Sequence, residues 1–118
     1  MTVQRGDVLL VSFPVATGTK TKKRPALVVQ ADSYNRSMHN VIVAEVTSNK
    51  ARAADPAHML VDVSLPEGLA TGLLKNSLVS CVNLATLHES LCNRVIGSFS
   101  PVLMEQVDEC LKVALELA

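Results

Sequence analysis

Aromatic residues are nearly missing from this 118-residue chain: Phe13, Tyr34 and Phe99 are all it has, and there is no tryptophan. That scarcity argues against an RNA platform of the RRM or OB type, where bases stack on exposed rings. The core must come from Val, Leu, Ile and Met. Cysteine is also sparse. Cys81, Cys92 and Cys110 are odd in number and show no CxxC spacing, so they read as small core hydrophobes in a reducing compartment and not as a disulfide framework or a zinc site. His39, His58 and His88 lie far apart without HxH or HExxH spacing, so no metal is expected. No GxGxxG, Walker or GxSxG segment is present, which removes dinucleotide, P-loop and α/β-hydrolase chemistry. Uninterrupted apolar runs are far shorter than the roughly 20 residues a membrane span needs. Met1–Asp7 lacks the apolar stretch of a signal peptide, and the expectation is a soluble, cytoplasmic protein.

Net charge is missing too, with 11 basic and 11 acidic residues, but the distribution is uneven. Residues 1–60 carry a net +4 and the remainder −4. No acid falls between Asp7 and Asp32, whereas Lys20, Lys22, Lys23 and Arg24 fall within five positions. Such a cluster attracts phosphate at short range, screened beyond about 8 Å at physiological salt.

With 48% hydrophobic and 19% charged residues, the chain can build a core and is expected to form one domain over residues 1–118. Val8–Phe13, opened by Gly6-Asp7 and closed by Pro14, reads as a buried strand. Residues 16–23 read as a loop, 26–30 as a strand, 32–38 as a short helical turn, and Val41–Val46 as a strand ending at Thr47-Ser48-Asn49. Further strands are expected over 59–64, 77–82, 85–88 and 94–98, with 65–75 a long connection. The last segment is the one long helix. Ser100 is a good N-cap and Pro101 suits the first turn, and Leu103, Val107, Leu111, Ala114 and Leu117 recur at helical spacing. Short strands plus a terminal helix predict a mainly β fold, a curled, mostly antiparallel sheet or barrel.

Two features carry chemistry. Arg24 sits where the basic loop meets a strand, which would hold its fork in place for bidentate binding of phosphate. Thr47-Ser48-Asn49 puts small polar groups at the end of an apolar strand, read either as turn chemistry or as donors to phosphate oxygens.

Arg5-Gly6-Asp7-Val8, Arg24-Pro25-Ala26-Leu27-Val28-Val29, Tyr34-Asn35, the strand into Thr47-Ser48, Thr71-Gly72-Leu73 and Ile96-Gly97 resemble, in order and over almost the whole chain, the MazF/PemK toxins. The resemblance implies the SH3-like β-barrel of the CcdB/MazF plasmid-maintenance toxins with a C-terminal helix, and a homodimer. It implies a toxin of a type II toxin–antitoxin system that inhibits growth by cutting single-stranded RNA, mRNA above all, sequence-specifically. It further implies attack by the RNA's own 2′-hydroxyl, giving 2′,3′-cyclic phosphate and 5′-hydroxyl ends without a metal or other cofactor. Carried over by position, Arg24 and Thr47 are the catalytic residues. Lys20, Lys22 and Lys23 would grip the RNA backbone, and Ser48, Asn49 and Arg52 would line the groove. Residues 77–86 carry no charge where many relatives have an acid and a base, leaving Asn83 to read a base edge. A cognate antitoxin with a disordered acidic tail would cover the groove. A CcdB-like gyrase poison or a silent RNA-binding module on the same fold stays open, because fold alone separates none of these.

Overall fold

In a computed structural model, which describes residues 2–14 and 21–118, the apolar runs form one antiparallel sheet of six strands. In chain order the elements are β1 (Asp7–Pro14), β2 (Thr21–Val28), α1 (Asp32–Ser37), β3 (Asn40–Thr47), β4 (His58–Val61), α2 (Pro66–Leu69), β5 (Ser77–His88), a 3₁₀ turn (Glu89–Leu91), β6 (Cys92–Ser98) and α3 (Pro101–Leu115). The strands lie in the order β4-β5-β3-β2-β1-β6.

Alternation along the strands gives the sheet two apolar faces. Val8, Leu27, Ala44, Val46, Met59, Val61, Val79 and Cys81 bury against Leu103, Val107 and Cys110 of α3. Leu9, Val11, Ala26, Val28, Val41 and Val43 form a second cluster with Val3, Leu87 and Cys92. Helix α3 starts as its sequence predicts, with Ser100 Oγ accepting from Leu103 N–H at 3.2 Å and Pro101 in the first turn. Arg5 anchors its middle, donating to Asp108 at 2.6 Å while its Nε donates to the Val29 carbonyl.

Several boundaries differ from the sequence-based expectation, three of them substantially. The strand expected over 59–64 stops at Val61, because the Asp62 carboxylate turns back to accept from Ser64 N–H and Asn76 Oδ1 takes Val63 N–H. Thr21–Lys23 belong to β2 and not to the loop. The two strands expected at 77–82 and 85–88 are one. Ser80 pairs with Glu45 and Leu84 with Ala44, so residues 81–83 bulge out of a continuous β5. The bulge bends β5 so that its first half serves β4, and Cys81 N–H is taken by the Ala57 carbonyl.

The outer strands β4 and β6 are not hydrogen-bonded to each other. The chain between β4 and β5 bridges the gap instead: Ser98 N–H donates to the Ala70 carbonyl, and Gly72 lies on the Ile96 carbonyl with Gly97 on the Thr71 backbone.

Asp32, at the start of α1, accepts from Arg5 N–H at 2.7 Å and from the Asn35 side chain. The Arg5 N–H bond, first, and the Asn35 bond hold its carboxyl below the usual value. A depressed folded-state pKa gives stability present above the ordinary carboxylate value of about 3.9 and lost as pH falls through the folded value. Urea unfolding should therefore show Asp32→Asn less stable than wild type at pH 7, with the gap narrowing as pH falls below about 4.

Candidate functional site

Hydrogen bonding shows why β2 and β3 part where they do. Val29 N–H donates to the Ile42 carbonyl, so in steps of two the N–H groups of residues 27 and 25 also face β3. Residue 25 is proline and has none. The ladder ends at Ala26↔Glu45, and the next rung, to the Val46 carbonyl, cannot form. Continuing the register past that point sets Arg24 opposite Thr47 and Lys22 opposite Asn49. Between the diverging strands a cavity of about 300 Å³ opens, lined by Lys22, Arg24, Pro25, Val46, Thr47 and Ser48. The connection before β5 supplies its far wall through Gly72, Leu73, Leu74 and Lys75.

The electrostatics of this cavity are one-sided. Among the described residues its charged lining is Lys22, Arg24 and Lys75, with no carboxylate. Arg24 is half-buried and makes no hydrogen bond or ion pair with the described residues, so its five donors are available. Thr47 Oγ1 accepts from Asn49 N–H at 3.1 Å, which fixes the side chain and leaves its O–H to donate. Leu10, Val46, Leu73 and Ile96 supply apolar surface. Cations over an apolar floor suit a phosphodiester carrying a base.

The structure thus brings together Arg24, Thr47, Lys22 and Ser48. Lys23 alternates to the other side of β2, opposite Ser12. Asn49 Oδ1 accepts from Ala51 N–H and shapes the turn. Arg52 lies 3.9 Å from Asp55, and Asn83 donates to Ser80 Oγ from the β5 bulge; neither lines the cavity. Lys20 lies outside the described residues. Lys75 was missed by sequence reasoning, although a signal existed: it is the sole cation between Arg52 and Arg94.

Other polar groups have structural work. His58 is buried, its Nε2 2.9 Å from Ser80 Oγ and its Nδ1 3.4 Å from Asp55 Oδ1, the latter approach not aligned as a hydrogen bond. His39 faces Glu89, and His88 accepts from Ser90 N–H. The three cysteines are free and buried. Burial, with Cys110 beside it, pushes the Cys81 thiol up to about 12, which keeps it protonated and unreactive near neutral pH. Among the described residues no three His, Cys, Asp or Glu side chains are gathered to hold a metal ion, and no helix is long and apolar enough to cross a membrane. A wider groove of about 710 Å³ along α3 is edged by Glu105, Asp108 and Glu109, the wrong sign for phosphate.

A family model described as PemK-like, MazF-like toxin of type II toxin–antitoxin system matches residues 4–115. The chain is 31% identical to endoribonuclease MazF6 of Mycobacterium tuberculosis (strain ATCC 25618 / H37Rv) over 119 residues, covering 99% of this chain and 100% of that one. It is 30% identical to endoribonuclease EndoA of Bacillus subtilis (strain 168), covering 99% and 97%. The fold is similar to that of an endoribonuclease in complex with its cognate antitoxin from a mycobacterial species, with a TM-score of 0.74 at 21% identity over 98% of this chain and 97% of that one.

Proposed function

Because the chain belongs to the PemK-like, MazF-like toxins of type II toxin–antitoxin systems, we propose that it is an endoribonuclease toxin that cuts single-stranded RNA within the β2–β3 cavity. The observation that carries this reading is that Arg24, half-buried and unpaired among the described residues, lines one cavity with Thr47, Lys22 and Lys75.

In this reading Lys22 and Lys75 hold backbone phosphates, and Arg24 binds the scissile phosphate through its fork. The RNA's 2′-hydroxyl attacks the adjacent phosphorus, and the bond to the 5′-oxygen breaks. Negative charge builds on the equatorial oxygens of the pentacoordinate phosphorus, where Arg24 and the Thr47 hydroxyl stabilise it. The products are a 2′,3′-cyclic phosphate and a 5′-hydroxyl. The nucleophile belongs to the substrate, so the scheme calls for no metal.

The wider assignment follows the family. The whole chain is one toxin domain, and the curled sheet with its bridged edges corresponds to an SH3-like barrel. The protein acts in the cytoplasm as a homodimer, and its partner is an antitoxin whose acidic tail covers the cationic cavity.

Incubating the purified protein with a long single-stranded RNA in excess EDTA and mapping the product ends tests the reading. Discrete cuts with 5′-hydroxyl ends are expected; no cutting by folded protein on any RNA tried would sink it. Thr47→Val, which keeps the side chain's shape and removes the donor, should lower kcat about 10²-fold with KM little changed, as for other single transition-state donors. An equal loss in binding and turnover would instead place Thr47 in ground-state contacts.

A further inference from the structure

We infer that Glu45 is the proton acceptor for the attacking 2′-hydroxyl, an inference that rests on the cleavage reaction proposed above. Glu45 lies on β3 two residues before Thr47, so their side chains leave the same face of the strand. On the neighbouring strand it pairs with Ala26, one pleat from Arg24. Diagonal positions of this kind have Cβ atoms roughly 7–8 Å apart, within joint reach of a glutamate and an arginine.

Its surroundings set it apart from every other acid in the chain. Asp7, Asp55, Asp62, Glu89 and Asp108 are the other partly buried carboxylates among the described residues, and each has a hydrogen-bond or ion-pair partner. Glu45 has none among the described residues. Ala26 offers it nothing from β2. Ser80 faces it from β5, but that hydroxyl is already engaged by His58 Nε2 and Asn83 Nδ2, both at 2.9 Å. The cations on its side of β2 are Arg24 and Lys22. No charged group faces it from β5, and beyond Ser80 stand only His58 of β4 and the Asp55 carboxylate behind it. Glu45 is not among the residues lining the cavity; it precedes Val46, which is, and a 2′-hydroxyl held beside Arg24 and Thr47 would bring a partner to this half-buried acid.

The other titratable groups fit the role poorly. Arg24 holds its proton too tightly to serve as a base. Lys22 and Lys75 are exposed ammonium groups. His58 is buried, with 3% of its side chain exposed, and its Nε2 is occupied. Cys81 is buried and held protonated. In the step inferred, the Glu45 carboxylate takes the proton from the 2′-hydroxyl as the O2′–P bond forms. The P–O5′ bond breaks, and the departing 5′-oxygen takes its proton from water.

The test is single-turnover and steady-state cleavage of a short RNA containing a mapped cut site, in EDTA, from pH 4 to 9. Glu45→Gln should cut about 10²- to 10⁴-fold more slowly, the usual contribution of a general base, with KM within a few-fold of wild type. The acid-side fall in wild-type rate should disappear in this variant. Glu45→Asp should keep that fall and a larger part of the rate. It also covers the case in which Glu45→Gln does not fold, since it retains the charge. A substrate with sulfur in place of the bridging 5′-oxygen, which leaves without protonation, should not rescue Glu45→Gln.

Several results would overturn the inference. An unchanged or faster Glu45→Gln would mean that the carboxylate only repels RNA. Rescue by the sulfur substrate would make Glu45 the acid. An Asp variant with a flat acid side would remove the carboxylate from proton transfer. Failure of the wild type to cut any RNA would instead count against the ribonuclease reading itself.

Discussion

Arg24→Ala is expected to lower the cleavage rate by about 10³- to 10⁵-fold, the range for an arginine that neutralises charge on a transferring phosphoryl group, while leaving the melting temperature at or above that of wild type. The two halves of this expectation have one structural cause. Arg24 makes no ion pair or hydrogen bond among the described residues, so removing it orphans no partner. Its half-buried charge contributes nothing to folding that alanine would lose, and relieving its desolvation offsets any lost packing of its stem. Arg24→Lys separates charge from shape. A lysine keeps the positive charge but not the planar fork, and it should recover only part of the lost rate. Thermal unfolding beside the RNA assay checks both claims. If Arg24→Ala unfolds at a clearly lower temperature, the residue is structural; if it cuts normally, the cavity is not the catalytic site.

Much of this site could be read from the chain itself, because its signals are local. Arg24 at the end of a basic run and Thr47 at the end of an apolar strand each announce a boundary, and boundaries are where a sheet presents polar groups. The caps of α3 are local too, and Ser100 and Pro101 place its start correctly. What stayed hidden depends on pairing between distant segments. A three-residue bulge at 81–83 looks like a strand break in sequence, because nothing local shows that Ala44 and Glu45 keep both halves of β5 on one partner. Pro25 acts by withholding one hydrogen bond from β3, which is visible only once the register is known. Glu45 is one acid in an apolar strand and carries no motif. The role inferred for it rests on its neighbours, Ala26 and an already engaged Ser80, having nothing to offer it. Lys75 is an ordinary surface lysine until the segment after α2 folds back to form a wall of the cavity.

That wall depends on two glycines, and it yields the second large effect: Gly97→Ala is expected to destabilise the fold by about 3 kcal/mol or more, at the upper end of overpacking costs. A Cβ at Gly97 would fall on the backbone of Thr71 and the Ala70 carbonyl, and one at Gly72 on the Ile96 carbonyl. These neighbours are main chain, so no rotamer change can relieve the clash. For a chain of this size the loss corresponds to a melting temperature lower by about 10 °C. Gly6 provides the contrast. Its φ of +97° strains any larger residue, but a Cβ there meets its nearest atoms at 3.5 Å, an ordinary contact, so Gly6→Ala should cost nearer 1 kcal/mol. The functional consequence differs from that of Arg24→Ala. Separating β6 from the 70–72 segment displaces Leu73 and Lys75 from the cavity, so Gly97→Ala should lose RNA affinity even at temperatures where it remains folded, whereas Arg24→Ala keeps its fold and loses turnover. Equal melting temperatures for Gly97→Ala and wild type would show that this edge gives way without cost and that the sheet's curl is held elsewhere.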